Sequence, residues 1–175
     1  MIRLDWDRSA FPMPRSLGFY TVHVDPEPGW PLGRKGLQIT AAWETLAGAE
    51  TAGLVTLDGD VAIDPQDLAA MLAAVEQHPA DVLIAPVRLW PASTKMERWI
   101  WGHGKGGFSR NDPDDPDMFG FSFTYLPARL VTTMIAQGLA DVTYPSVDAT
   151  ARRIARELKL RCRVVREASP KHMNW

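Results

Sequence analysis

Leu54-Val55-Thr56-Leu57-Asp58-Gly59-Asp60 is an apolar run that ends in two carboxylates one glycine apart. A run of this length and composition predicts a strand over 53–57. Such a strand delivers Asp58 and Asp60 to its carboxyl end, where they can hold a divalent metal that neutralises a diphosphate. The same Asp-Gly-Asp string is also ordinary turn chemistry. The flanking sequence decides between the two.

Upstream, residues 1–18 read as irregular, with Pro12 and Pro14 breaking any periodicity. Gly18 to Asp25 reads as a strand rich in aromatic and β-branched residues. A Pro/Gly-rich loop leads to a helix over about 34–47, with Ile39, Ala42, Trp43 and Leu46 at helical spacing. Downstream, Asp64-Pro65 opens a helix with an N-cap and a proline at the first helical position. Pro79 stops it. Residues 81–89 read as a strand in which Pro86 marks an edge or a bulge. Residues 91–118 read mostly as loop, with a short helix at 94–101. A strand at 119–125, a helix opened by Pro127, a helix capped by Asp148 and a strand at 161–166 follow. Residues 167–175 read as a C-terminal tail.

Strands alternating with helices predict an α/β fold: one compact domain over 1–175 with a mainly parallel sheet flanked by helices. In such sheets ligands bind beyond the carboxyl ends of the strands, where Asp58 and Asp60 fall.

Composition sets the outer bounds. The chain has 175 residues, 46% hydrophobic and 23% charged, as in an ordinary globular domain. It has a single cysteine, Cys162, so no internal disulfide is possible, and a reducing, cytoplasmic location is expected. No apolar run reaches the roughly 18 residues of a membrane span, and the N-terminus lacks a signal-peptide core. The net charge of -2 gives no general support for nucleic-acid binding. It hides an asymmetry, however: residues 150–175 carry eight Lys/Arg and two Glu, a net +6, which leaves -8 for the rest. That basic end is a solvated helix face and strand edge, or a surface for phosphates, membrane or nucleic acid.

Several segments then fall in an instructive order. Gly33-Arg34-Lys35-Gly36-Leu37 opens a helix. Thr56-Leu57-Asp58-Gly59-Asp60 follows about twenty residues later. Next come Phe119-Gly120-Phe121, then Tyr144-Pro145-Ser146-Val147-Asp148 at a helix start, and finally His172. This order resembles the GT-A-fold (Rossmann-related) glycosyltransferases, in particular the inverting type of family 2, over residues 19–175.

The resemblance implies a metal-dependent transfer of a sugar from a nucleotide-sugar donor to an acceptor of unknown identity. It implies that Asp58 contacts the donor ribose or the metal and that Asp60 ligates Mn²⁺ or Mg²⁺ directly. It further implies that His172 is a metal ligand, that Asp148 is the catalytic base, and that Arg34 and Lys35 lie near the diphosphate. Each has a plainer reading: Asp148 as a helix cap, His172 as an exposed tail histidine, and Arg34 and Lys35 as first-turn surface residues. The chain departs from the family at its start. Only about thirty residues precede Gly33, with one clear strand, so much of the base-binding half is shortened. Asp25, at the end of that strand, remains a candidate contact for the base or ribose.

Gly102-His103-Gly104-Lys105-Gly106-Gly107 matches G-x-G-x-x-G but not at a strand-to-helix turn, so it reads as a loop between aromatic anchors. Two other functions fit the same residues: a sugar-phosphate nucleotidyltransferase, or an inactive GT-A remnant that serves as a binding module. A shortened domain with many aromatic side chains is also compatible with a homo-oligomer that completes its pocket across an interface.

Overall fold

The computed structural model describes residues 2–5, 21–24, 35–46, 51–58, 61–90, 108–110, 116–142 and 146–173. In chain order the elements are β1 (Ile2–Asp5), β2 (Thr21–Val24), α1 (Lys35–Thr45), β3 (Gly53–Leu57), β4 (Val61–Ala62) and α2 (Pro65–Gln77). Then come β5 (Val82–Ile84), β6 (Val87–Trp90), β7 (Phe108–Arg110) and β8 (Phe123–Pro127). The helices α3 (Ala128–Ala136) and α4 (Ser146–Glu157) and the strands β9 (Cys162–Val164) and β10 (Lys171–Met173) complete the chain. Short 3-10 turns lie at Pro116–Met118 and Leu139–Asp141.

The central sheet has the order β3-β8-β5-β9. β3 and β5 are both antiparallel to β8, and β9 is parallel to β5. Three strands therefore point one way and β8 points the other, so the sheet is mixed rather than mainly parallel. The cause lies in how β8 is reached. A parallel neighbour needs a crossover, usually helical. β8 instead follows β6 and β7 of a second sheet, so it is not reached by a direct crossover from β5.

Alternation along the strands gives the sheet two apolar faces. Val82, Ile84 and Leu126 pack with Ile39 of α1, Leu130, Val131 and Met134 of α3, and Val147, Ala151 and Ile154 of α4. Leu83, Phe123 and Tyr125 point the opposite way, onto Met71 and Val75 of α2. All five residues of β8 are buried, as a strand covered on both faces requires. Helices on both faces of a mixed sheet make this an α/β architecture.

A second sheet, β4-β10-β6-β7, is built from the same chain segments just after they leave the first. Only three residues separate β3 from β4, and Ala85-Pro86 alone separates β5 from β6. Pro86 sits where it cannot be asked for a ladder hydrogen bond, at the step between sheets. β10 pairs with β4 on one side, antiparallel, and with β6 on the other, parallel.

Local chemistry explains the helix boundaries. Asp64 caps α2 by accepting from the amides of Gln66 and Asp67, and Asp67 Oδ2 accepts from the Asp64 amide at 3.0 Å. This is a capping box with Asp in the reciprocal position. At the other end Gly138, at φ 81°, lets the chain leave α3 in the left-handed region that glycine tolerates.

Four expectations need correction. Residues 2–5 are not irregular: they form β1, paired antiparallel with β2. Residues 171–173 of the expected tail form β10. The strand expected at 119–125 begins only at Phe123, because Phe119–Ser122 bends, with Thr124 Oγ1 donating to Gly120 O at 2.5 Å. Asp148 does not cap the last helix. That helix begins at Ser146, which puts Asp148 in its first turn. The short helix expected at 94–101 lies outside the described residues.

Candidate functional site

β3 ends at Leu57, and the next residue, Asp58, is fixed from both of its chain groups. Its amide donates to Ser122 O at 3.0 Å, and its carbonyl accepts from the Val61 amide at 3.0 Å. The bend at Phe119–Ser122 thus meets the carboxyl end of β3 because β8 runs reversed beside it. Ser122 Oγ donates to Asp58 Oδ2 at 3.3 Å. The other oxygen, Oδ1, lies 2.5 Å from Lys35 Nζ.

This ion pair is partly withdrawn from water, with side-chain exposures of 21% for Lys35 and 13% for Asp58. Lys35 is the first residue of α1, and no acidic residue occupies the first turn of that helix. A cation at a helix N-terminus is disfavoured by the macrodipole. Asp58 offsets the lysine charge. The ammonium also lies 5.8 Å from the centroid of the buried Phe121 ring, within cation–π range.

Gly36 explains how α1 comes so close. A Cβ placed there would lie 2.1 Å from Leu139 O and 3.2 Å from Val142 O, both backbone atoms. The start of α1 therefore rests directly on the turn after α3, and only glycine fits.

The helix that carries Asp148 meets the same bend. One turn further along α4, Arg152 Nη1 donates to Phe119 O at 3.0 Å. Asp148 and Arg152 are four residues apart, so they share a helix face. Asp148 Oδ1 is shut off from solvent. The four residues 119–122 thus carry an anchor from the Asp148 helix at one end and from Asp58 at the other.

His172 belongs to β10, directly opposite Val61 in one ladder and level with Leu89 in the other. It therefore sits across from the residue that follows Asp60. Directly opposed side chains lie on one face of a sheet, so the imidazole shares its face with buried Val61. Its Nδ1 is shut off from solvent.

The structure thus brings Lys35 to Asp58 and places the His172 strand against the segment that follows Asp60. Asp25, Arg34 and Asp60 lie outside the described residues. Among the described residues, no three His, Cys, Asp or Glu side chains form a group able to hold a metal ion. In donor type, carboxylate oxygens suit Mn²⁺ or Mg²⁺, and an imidazole beside them suits Mn²⁺ better than Mg²⁺, which prefers oxygen. Ser122 and Phe121 were not foreseen as site residues. The signal available was the Phe-Gly-Phe segment beside them, whose bend a strand assignment conceals.

Thiol chemistry is not supported. Burial, then the charge and hydrogen bond of Asp117, then Asp81, push Cys162 up to about 12, so it stays protonated near neutral pH. No helix among the described residues is long and apolar enough to cross a membrane. Comparison of the chain with protein-family models, curated proteins and solved structures returns no match.

Proposed function

We propose that this chain is a metal-dependent glycosyltransferase of the GT-A type. It would move a sugar from a nucleotide-sugar donor to an acceptor hydroxyl, with inversion. One observation carries the reading. Lys35, expected on the diphosphate side, and Asp58, expected on the ribose or metal side, belong to separate sequence segments yet meet at 2.5 Å. They meet just past the carboxyl end of a strand in an α/β sheet, the usual ligand position of such folds.

The roles follow from charge. Lys35 and the N-terminus of α1 supply positive potential for a diphosphate. Asp58 and Asp60, with His172 from β10, are the residues that would hold Mn²⁺ or Mg²⁺. A bound ion there supplies further positive charge for the leaving group. Asp148 serves as general base. Its place in the first turn of α4 favours the ionised carboxylate, which can take the acceptor proton as that oxygen attacks. Asp25 and Arg34 are assigned to the donor side on the sequence resemblance.

The test is a panel of nucleotide-sugars with Mn²⁺, read as nucleoside diphosphate release with and without simple acceptor alcohols. Release that needs Mn²⁺ and vanishes in Asp60→Asn supports the reading. No release from any donor, together with no calorimetric binding of nucleoside diphosphates, would sink it.

A further inference from the structure

We propose that the Lys35–Asp58 ion pair is an internal latch, in which Asp58 occupies the anion position that the donor diphosphate must take. The proposal rests on reading this corner as the diphosphate end of a donor site.

The argument starts from what surrounds the Asp58 carboxylate. Each oxygen is engaged by a donor: Oδ1 by the Lys35 ammonium at 2.5 Å and Oδ2 by the Ser122 hydroxyl at 3.3 Å. The N-terminus of an eleven-residue helix begins at that same lysine, with no acid of its own in the first turn. A cation, a hydroxyl and a helix N-terminus are the groups that bind phosphate oxygens. Here a side-chain carboxylate holds the position instead. Its backbone is pinned at the amide and at the carbonyl, so its position is set by the fold.

Two consequences follow. A phosphate must either part Lys35 from Asp58 or share the ammonium with a carboxylate that repels it, so affinity for the anion is reduced in both cases. Any cation that draws Asp58 away releases the ammonium. Cation and diphosphate therefore promote each other's binding, and by linkage the effect is equal in both directions. Until both arrive, the charges of Lys35 and Asp58 satisfy each other.

The test uses inorganic pyrophosphate in metal-free buffer containing a chelator, titrated by calorimetry into four full-length proteins: wild type, Asp58→Asn, Lys35→Met and the double variant. Asp58→Asn keeps the shape and can still accept from Ser122, but it loses the charge that holds Lys35. It should bind pyrophosphate more tightly than wild type, by about 5- to 150-fold, the usual range for coupled sites. The gain should vanish in the Lys35→Met background. Circular dichroism confirms folding, and Asp58→Ser replaces the Asn variant should that chain not fold.

Equal or weaker binding by the Asp58 variants overturns the latch, as does a gain that persists without Lys35. The outcome is separable from that of the transferase reading. Sugar transfer by wild type with no gain in Asp58→Asn removes the latch and leaves the enzyme. A Lys35-dependent gain in a chain that transfers no sugar leaves the latch and removes the enzyme.

Discussion

Gly36→Ala is the sharpest structural test, because two physical effects oppose each other at that position. Replacing glycine by alanine inside a helix ordinarily stabilises by roughly 0.5–1 kcal/mol. Here the new methyl would lie 2.1 Å from Leu139 O, 3.1 Å from Leu139 C and 3.2 Å from Val142 O. A tolerable C···O separation is at least about 3.3 Å, so roughly 1.2 Å must open between α1 and the turn at 139–142. Both sides of that contact are backbone, so no side chain can rotate away. Overpacking of this kind costs about 1–3 kcal/mol. Steric cost outweighs helix propensity, and a net loss of about 0.5–2 kcal/mol is expected, the difference between the lower and between the upper ends of those two ranges.

For a chain of this length each kcal/mol lowers Tm by about 2–4 °C, which predicts a fall of about 1–8 °C. Urea unfolding followed by circular dichroism measures it, with an unchanged slope marking a pure stability effect. An Ala variant as stable as wild type, or more so, would show that α1 does not rest on Leu139. The account of how Lys35 is positioned would then fall with it.

Three further outcomes are expected. Asp67, 6% exposed, accepts from the Ser169 amide at 2.6 Å and the Asp64 amide at 3.0 Å. Asp67→Ala should cost up to about 1.5–3 kcal/mol for each of these part-buried, charge-assisted hydrogen bonds and should speed hydrogen exchange of the Ser169 amide. Unchanged exchange there would contradict the tether. Burial raises Tyr125 from 10.0 to about 12, and burial with Asp117 raises Cys162 from 9.0 to about 12. The unfolded chain thus releases these protons first, so stability should be full below about pH 9 and fall progressively towards pH 12. Cys162→Ala should flatten that slope in thermal melts, and an identical profile would remove the thiol from the account. Asp148→Asn should keep donor affinity but lower turnover by about a hundredfold or more, the scale of general-base loss; wild-type turnover, or a product of retained configuration, would reassign the base or the stereochemistry.

The sequence was most legible where local chemistry alone decides structure. β3 was expected at 53–57 and is found there, and the Asp64-Pro65 helix start is as expected. The single strand expected at 81–89, with Pro86 at an edge or bulge, is instead two strands in different sheets that part at Ala85-Pro86. Failures came where a distant partner decides. Residues 2–5 are a strand because β2 pairs with them, and 171–173 because β4 and β6 do. Neither three- to four-residue segment carries a period long enough to read alone. The direction of β8 is likewise invisible locally, since alternation reports burial but not polarity. At the site, the types of Lys35, Asp58 and His172 were readable. The ion pair, Ser122 and the 119–122 bend were not, because each depends on β8 running backwards.

That reversal accounts for more of the site than any single residue does. In a fully parallel sheet the carboxyl end of β3 would be flanked by the exits of its neighbours, all loops leading away. With β8 reversed, its entrance, Phe119–Ser122, stands beside the exit of β3 and supplies a carbonyl and a hydroxyl to Asp58. The preceding residues supply a carbonyl to Arg152 on the Asp148 helix. One short bend thus fixes Asp58, the acid assigned to the donor side in the proposed function, and borders the helix that carries the proposed base. The backbone of Asp58 is held at its amide and its carbonyl, so on the proposed reading the Lys35–Asp58 side-chain pair, and not that backbone, would be the part to yield to a diphosphate.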